Sequence, residues 1–184
     1  MISIRSELAR DIPHREALLD EAFGIDRHEK TCERIRENRM PAKGLSLIAD
    51  DQGQVVGTVR LWHVSINNEA VLLLGPLAVA ASHQVRGVGS RLARTALNRA
   101  SVQGHKAIIL VGDESYYSRF GFSTNVMTGI DLPGPVDRDR FMGLEFEAGV
   151  LSEQSGMVVP TGDYLGARTR LLAKNRLSAV AQAA

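Results

Sequence analysis

The chain has 184 residues, with 22 Lys and Arg against 21 Asp and Glu and a formal net charge of +1. That length suits one domain with a sizeable core, and so even a charge balance lacks the basic excess of a nucleic-acid binder. A single cysteine, Cys32, excludes an intrachain disulfide, and five scattered histidines with no Cys/His pair at ligand spacing leave no metal motif.

The start, MISIRSELAR, alternates apolar residues and then turns to charge, unlike a leader with a basic stretch and an apolar core. The longest apolar runs, AVLLLG and AIILVG, are far too short to span a bilayer. The expectation is a soluble, cytoplasmic protein. ISIRSEL reads as a short strand. DIPHREALLDEAFG reads as a helix with Asp11 at its cap and Pro13 in its first turn. Its apolar side is Leu18, Leu19, Ala22 and Phe23, and Gly24 is the terminator. RHEKTCERIRENR reads as a second helix with only Cys32 and Ile35 to bury and its charges in solvent.

Three strands follow. GLSLIADD closes at the hairpin-type turn Asp51-Gln52-Gly53, QVVGTVRLWHVSI returns from it, and INNEA makes the next turn. AVLLLGPLAV is apolar on both sides and therefore central. Pro76 cannot donate to a ladder, so this strand is expected to be bulged or locally unpaired at Gly75-Pro76.

HQVRGVGSRLARTALNRA then runs a glycine turn into an amphipathic helix with Leu92, Ala96 and Ala100 on one face. GHKAIILVGD is a turn and a buried strand, ESYYSRFGF a short helix stopped by Gly121, and FMGLEFE and GMVVPT two last strands. The tail RTRLLAKNRLSAVAQAA is helix-prone. The order β-α-α-β-β-β-α-β-α-β-β describes a mixed α/β chain around one sheet. Residues 1–165 form the expected domain and 166–184 a C-terminal helical tail.

Gln84-Val85-Arg86-Gly87-Val88-Gly89 lies between the central strand and the helix. A helix N-terminus offers unpaired N–H groups and the positive end of the dipole, where phosphate is well held. Gly87 and Gly89 remove side chains that would block its approach, and Arg86 and Arg91 add charge. The stretch is neither the dinucleotide fingerprint, which needs a third glycine, nor a Walker loop, which needs Gly-Lys-Ser/Thr. Taken alone it is either an anion loop or a tight connection whose glycines serve packing.

Q-x-x-G-x-G after a central strand, followed one strand later by Tyr117-Ser118-Arg119-Phe120-Gly121-Phe122, a Y-x-x-x-G-F pattern, resembles the GNAT superfamily of N-acetyltransferases. LLLGPLAV, VGD and YYSRFGF look most like its bacterial YhbS-type branch. The resemblance implies a central, mostly antiparallel twisted sheet of about seven strands, splayed in the middle and flanked by helices. It also implies acetyl-CoA as co-substrate, no metal, and an amine acceptor on a small molecule or a protein. Leu77, Ala78 and Val79 would then bind pantetheine by strand addition. Gln84, Val85, Arg86, Gly87, Val88, Gly89 and Ser90 would hold the pyrophosphate, and a main-chain N–H near Leu77 would steady the oxyanion.

By the same resemblance Tyr117 is the general acid that protonates the departing thiolate; its other reading is an amphipathic core tyrosine. Tyr116 beside it is expected to pack, although helix geometry permits the two to exchange roles. The family's usual glutamate on the strand that here reads AVLLLG is absent, so the base is open. Asp113 is a tentative base or water positioner, set against a reading as the cap of the following helix. His63 and His83 read as structural histidines and Glu69 as a turn residue. Leu110 stands where the family often has asparagine, which puts the adenosine-side contacts in doubt. Two other functions stay open: a catalytically idle acyl-CoA-binding module, and a nucleotide-binding regulator, which fits less because neither nucleotide fingerprint is met. A homodimer is possible, with no sequence feature that decides it.

Overall fold

The structure is a computed structural model and describes residues 1–166. The helix-prone tail, and with it the proposed boundary near residue 165, lies essentially outside the described residues.

Among the described residues, eight strands form one sheet. β1 (Ile2–Ser6), β2 (Ser46–Asp51), β3 (Gln54–Ile66) and β4 (Glu69–Val79) are sequential antiparallel neighbours. β5 (Ala107–Val111) runs parallel to β4, and β7 (Phe141–Glu145) runs antiparallel to β5 at the edge. β8 (Gly156–Pro160) pairs with the far half of β3, at Val64–Ile66, beyond the reach of β2, and carries the two-residue β6 (Ile130–Asp131) on its other side. The last two long strands are therefore not neighbours. The turns match their chemistry: Asn67 and Asn68 both take positive φ between β3 and β4, the mirror-image geometry that suits strand twist.

Helices cover both faces. α3 (Val88–Val102) buries Leu92, Ala96 and Ala100, one turn apart, against Leu47, Leu61, Leu72 and Ile108. On the opposite face lie α1 (Ile12–Phe23), through Leu18 and Leu19 against Ala78, and α2 (Thr31–Arg36), through Ile35 near Trp62 and Leu73. β3 and β4 feed both clusters, which is why their sequences are apolar on consecutive residues.

Three local expectations are corrected. Asp11 precedes α1 but does not cap it with its side chain; its carboxylate accepts from the Leu8 N–H at 2.8 Å and from Arg5. Ala22 and Phe23 are exposed, and α1 buries Arg15 beside Leu18 and Leu19 instead. The charge-rich second helix spans six residues after a 3-10 turn, and two of its region's cations, Arg27 and Arg36, are buried, not solvated. Each finds a carboxylate: Arg27 meets Glu16 and Asp20, and Arg36 meets Glu33.

The feature that matters for function is in β4. Val59 faces Leu77 and Leu61 faces Leu74, so Gly75 and Pro76 together oppose only Arg60. This is the interruption that Pro76 demanded. The Gly75–Pro76 peptide is cis, Gly75 has φ 133°, and its carbonyl accepts from the Trp62 indole N–H at 2.6 Å. On the other side, β4 pairs with β5 only at Leu72 and Leu73. From the bulge onward the two strands part, leaving a gap beside Leu77–Val79.

Candidate active site

Strand alternation decides which groups face that gap. The Ala80 N–H donates to the Val56 carbonyl at 2.9 Å, so Ala80 turns its peptide groups to β3. Ala78, two residues back, turns the same way, whereas Leu77 and Val79 turn theirs toward β5. No β5 residue pairs with them. Gln84 crosses the mouth, its side-chain amide donating to the Val79 carbonyl at 3.3 Å.

A 3-10 segment, Ala81–Arg86, carries the chain from β4 to Gly87, which takes φ 70° as the N-cap of α3 with no capping side chain. The first-turn N–H groups of α3 thus remain available at the positive end of the dipole. The two glycines answer different needs. Gly87 is needed for its left-handed backbone, since a Cβ there meets nothing within 4 Å. At Gly89 the constraint is contact: a Cβ would lie 2.7 Å from the Tyr116 hydroxyl.

These parts enclose a cleft of about 420 Å³. Leu77 and Val79 line its strand side, and Gln84, Val85, Gly87, Gly89 and Ser90 its loop side. The remaining three residues of the expected binding set do not line it. Ala78 faces α1, Val88 is fully buried under α3, and Arg86 is exposed with Nη1 3.7 Å from Asp51.

The far wall comes from α4 (Glu114–Tyr117) and the turn after it. Tyr116 and Arg119 line the cleft, the guanidinium 4.9 Å above the Tyr116 ring. The Tyr116 hydroxyl is buried with no hydrogen-bond partner among the described residues. Tyr117 lies at the β5 margin, its ring over Gly112, where a Cβ would be 2.3 Å from the ring, and edge-on to Phe122 and Tyr116. Burial pushes the Tyr117 phenol up, the neighbouring Tyr116 adds to this, and Arg140 opposes it. Tyr116, expected to pack, lines the cleft, whereas Tyr117 is not part of the lining and packs against the core under α3. Arg119 was not singled out, although its place three residues after Tyr116 on a helical turn puts it on the same side.

Asp113 has the geometry of a cap. It accepts from the Ser115 N–H at 2.8 Å and hydroxyl at 2.7 Å, and these bonds hold its carboxyl below the usual range. The other candidate bases are engaged as well: His83 Nε2 is 3.3 Å from Asp51, and Glu69 is 3.5 Å from Lys106. His63 stands 5.6 Å from the His105 ring, away from the cleft lining. Among the described residues, the cleft wall holds no carboxylate.

A bulged central strand, a parted parallel neighbour and a glycine turn at a helix N-terminus define an acyl-carrier-binding acetyltransferase architecture. Residues 42–124 match the acetyltransferase (GNAT) domain model. The uncharacterized N-acetyltransferase YhbS of Escherichia coli (strain K12) is 35% identical over 121 residues, covering 65% of this chain and 72% of that protein. Its crystal structure in complex with CoA superposes with a TM-score of 0.74 at 29% identity, covering 87% of this chain and 89% of the other. A GNAT family acetyltransferase from Brucella melitensis in complex with acetyl-CoA gives 0.58 at 27% identity, covering 91% and 97%. The chain belongs to the GNAT family of acetyltransferases. Among the described residues no helix is long and apolar enough to cross a membrane.

Proposed function

We propose that the protein is an acetyl-CoA-dependent N-acetyltransferase that passes the acetyl group directly to a primary amine of a small molecule or a protein. The observation that carries this reading is the pair of strand residues, Leu77 and Val79, that no β5 residue pairs with and that open onto the same cleft as the uncapped first turn of α3. Pantetheine carries amides along an extended arm, and would pair with those two residues as an added strand. The diphosphate would rest on the amides of residues 87–90, with Gln84 and Arg86 flanking it. We assign this activity to residues 1–165.

The amine nitrogen bonds to the thioester carbonyl carbon, the C–S bond breaks, and the amine proton leaves to water. Tyr117, at the β5 margin, returns a proton to the sulfur; its raised pKa keeps that proton on the phenol at neutral pH. Tyr116, over the glycine turn, donates to the diphosphate. No side chain acts as a dedicated base, so the acceptor amine deprotonates before it attacks.

A second reading, an acyl-CoA-binding module without turnover, draws on the carboxylate-free cleft and the engaged Asp113. Calorimetry with acetyl-CoA and coenzyme A release with a panel of amines separate the two. Binding with amine-dependent release supports the transferase. Binding without release for any amine supports the module, and no binding contradicts both.

A further inference from the structure

Arginines cluster beside the α1–α2 face of the sheet, and nearly all are saturated. Arg5 meets Asp11 and Asp50, Arg15 meets Glu7 and Glu16, and Arg27 meets Glu16 and Asp20. Arg60 grips Glu7 with two hydrogen bonds. Arg36 is different. Its side chain is only 8% exposed, yet it makes one side-chain hydrogen bond among the described residues, Nη2 to Glu33 at 2.6 Å. Its Nε is buried with no acceptor. A guanidinium has five donors and stays charged, so a buried one with a single partner is poorly compensated.

Its position gives that deficit a use. Arg36 ends α2, and its Nη1 lies 3.2 Å from where a Cβ on Gly75 would stand, against the break in β4. Its Cζ is 6.0 Å from the Trp62 ring centre, and the Arg60 Cζ is 5.7 Å from the same ring. Trp62 in turn holds the Gly75 carbonyl at 2.6 Å. Leu77 belongs to the cluster under α3, whereas Trp62 and the α2 residue Ile35 belong to the cluster on the other face. The break is thus bordered by the cleft on one face of the sheet and by a cation-bearing wall on the other.

We propose that Arg36 receives a carboxylate of the acceptor, so that the amine acetylated belongs to a small amino-acid-like molecule entering from the α1–α2 face. This rests on the acetyltransferase reading above, in which the thioester reaches the break from the α3 side. A carboxylate suits this guanidinium because Arg36 still has N–H donors without acceptors after Glu33 is served, and carboxylate oxygens accept from such donors in short, charge-assisted hydrogen bonds. The nitrogen of the bound amino acid forms the bond to the acetyl carbon as sulfur leaves, and its own carboxylate is unchanged.

The test compares amino acids with their carboxamides and decarboxylated amines as acceptors, reading coenzyme A release, with acetyl-CoA binding followed by calorimetry. The wild type is expected to favour the carboxylated acceptors at least about tenfold in kcat/KM. Arg36→Met should abolish that preference with acetyl-CoA affinity unchanged, and Arg36→Lys should keep part of it. Should the Met variant fail to fold, the wild type alone decides: carboxylic acids lacking the amine should inhibit competitively against the acceptor, and their amides should not. Turnover indifferent to the carboxylate, inhibition by neither, or acetyl-CoA binding without turnover of any amino acid overturns the proposal and leaves acetyl-CoA recognition standing. Absence of acetyl-CoA binding overturns both.

Discussion

The hydroxyl of Tyr116 stands 2.7 Å from the place that a Cβ on Gly89 would occupy. The first turn of α3 and the wall from α4 are therefore in close contact at this one point of the cleft. Gly89→Ala should displace that hydroxyl and weaken acetyl-CoA binding by about tenfold, the worth of one hydrogen bond to a charged group. Thermal stability should hold or rise, since alanine suits a helix better by about 0.5–1 kcal/mol. Gly87→Ala should do the reverse. It meets no neighbour but needs φ 70°, so it should cost about 1–2 kcal/mol of stability. Calorimetry and thermal melts on the two variants check both expectations; equal effects would contradict them.

The two tyrosines should separate kinetically. Tyr117→Phe is expected to lower kcat about a hundredfold with little change in KM for acetyl-CoA, because it removes a proton donor used as sulfur departs. Tyr116→Phe should raise that KM about tenfold and leave kcat nearly intact. Steady-state kinetics with one fixed amine are sufficient. The opposite pattern would transfer the acid role to Tyr116.

Much of this was legible because it is local. β3 matches the expected QVVGTVRLWHVSI residue for residue, since two hairpin turns bracket a β-branched-rich segment. The interruption at Gly75-Pro76 followed from one missing N–H. The split between Leu77, Val79 and Ala78 needed the strand's pairing partner, which no spacing in the sequence supplies. Arg27 and Arg36 were read as solvated because a charge's burial depends on its neighbours: Glu16 and Asp20 reach Arg27 only after the chain turns, and Arg36, whose partner Glu33 sits one turn back on its own helix, is buried by the sheet it packs on. β6 has two residues and takes its identity wholly from β8.

The raised pKa of Tyr117 has a definite consequence for pH dependence. An acid with a raised pKa keeps its proton to higher pH, so its loss moves to the alkaline side of the ordinary phenol value of about 10. The rate should climb as the acceptor amine deprotonates and show no descending limb below pH about 10. A pH profile of kcat with a fixed amine reads this directly. A fall beginning near pH 8 would contradict the placement of that phenol as the acid.

Asp11 ties β1 to the start of α1. Its pKa falls from the ordinary 3.8 to about 2, chiefly through the Arg5 hydrogen bonds at 2.6 and 3.0 Å and then the Leu8 N–H, with burial opposing. A depressed carboxyl stabilises the fold above its unfolded pKa, and that contribution is lost as pH drops from about 4 to about 2. Allowing for solvent around Arg5, Asp11→Asn should cost about 1–2 kcal/mol at pH 7. Denaturant titrations at both ends of that window should show the gap between variant and wild type closing by pH 2. A constant gap would show that the carboxylate's charge is not what matters.

The central claim is that the gap beside β4 receives an extended thioester carrier. Backbone amide exchange at Leu77, Ala78 and Val79, measured with and without saturating acetyl-CoA, tests it most directly. Leu77 and Val79 should exchange quickly in the free protein and become protected on addition, while Ala78 should be slow in both states. Unchanged exchange at Leu77 and Val79, or strong protection of both before any acetyl-CoA is added, would contradict it.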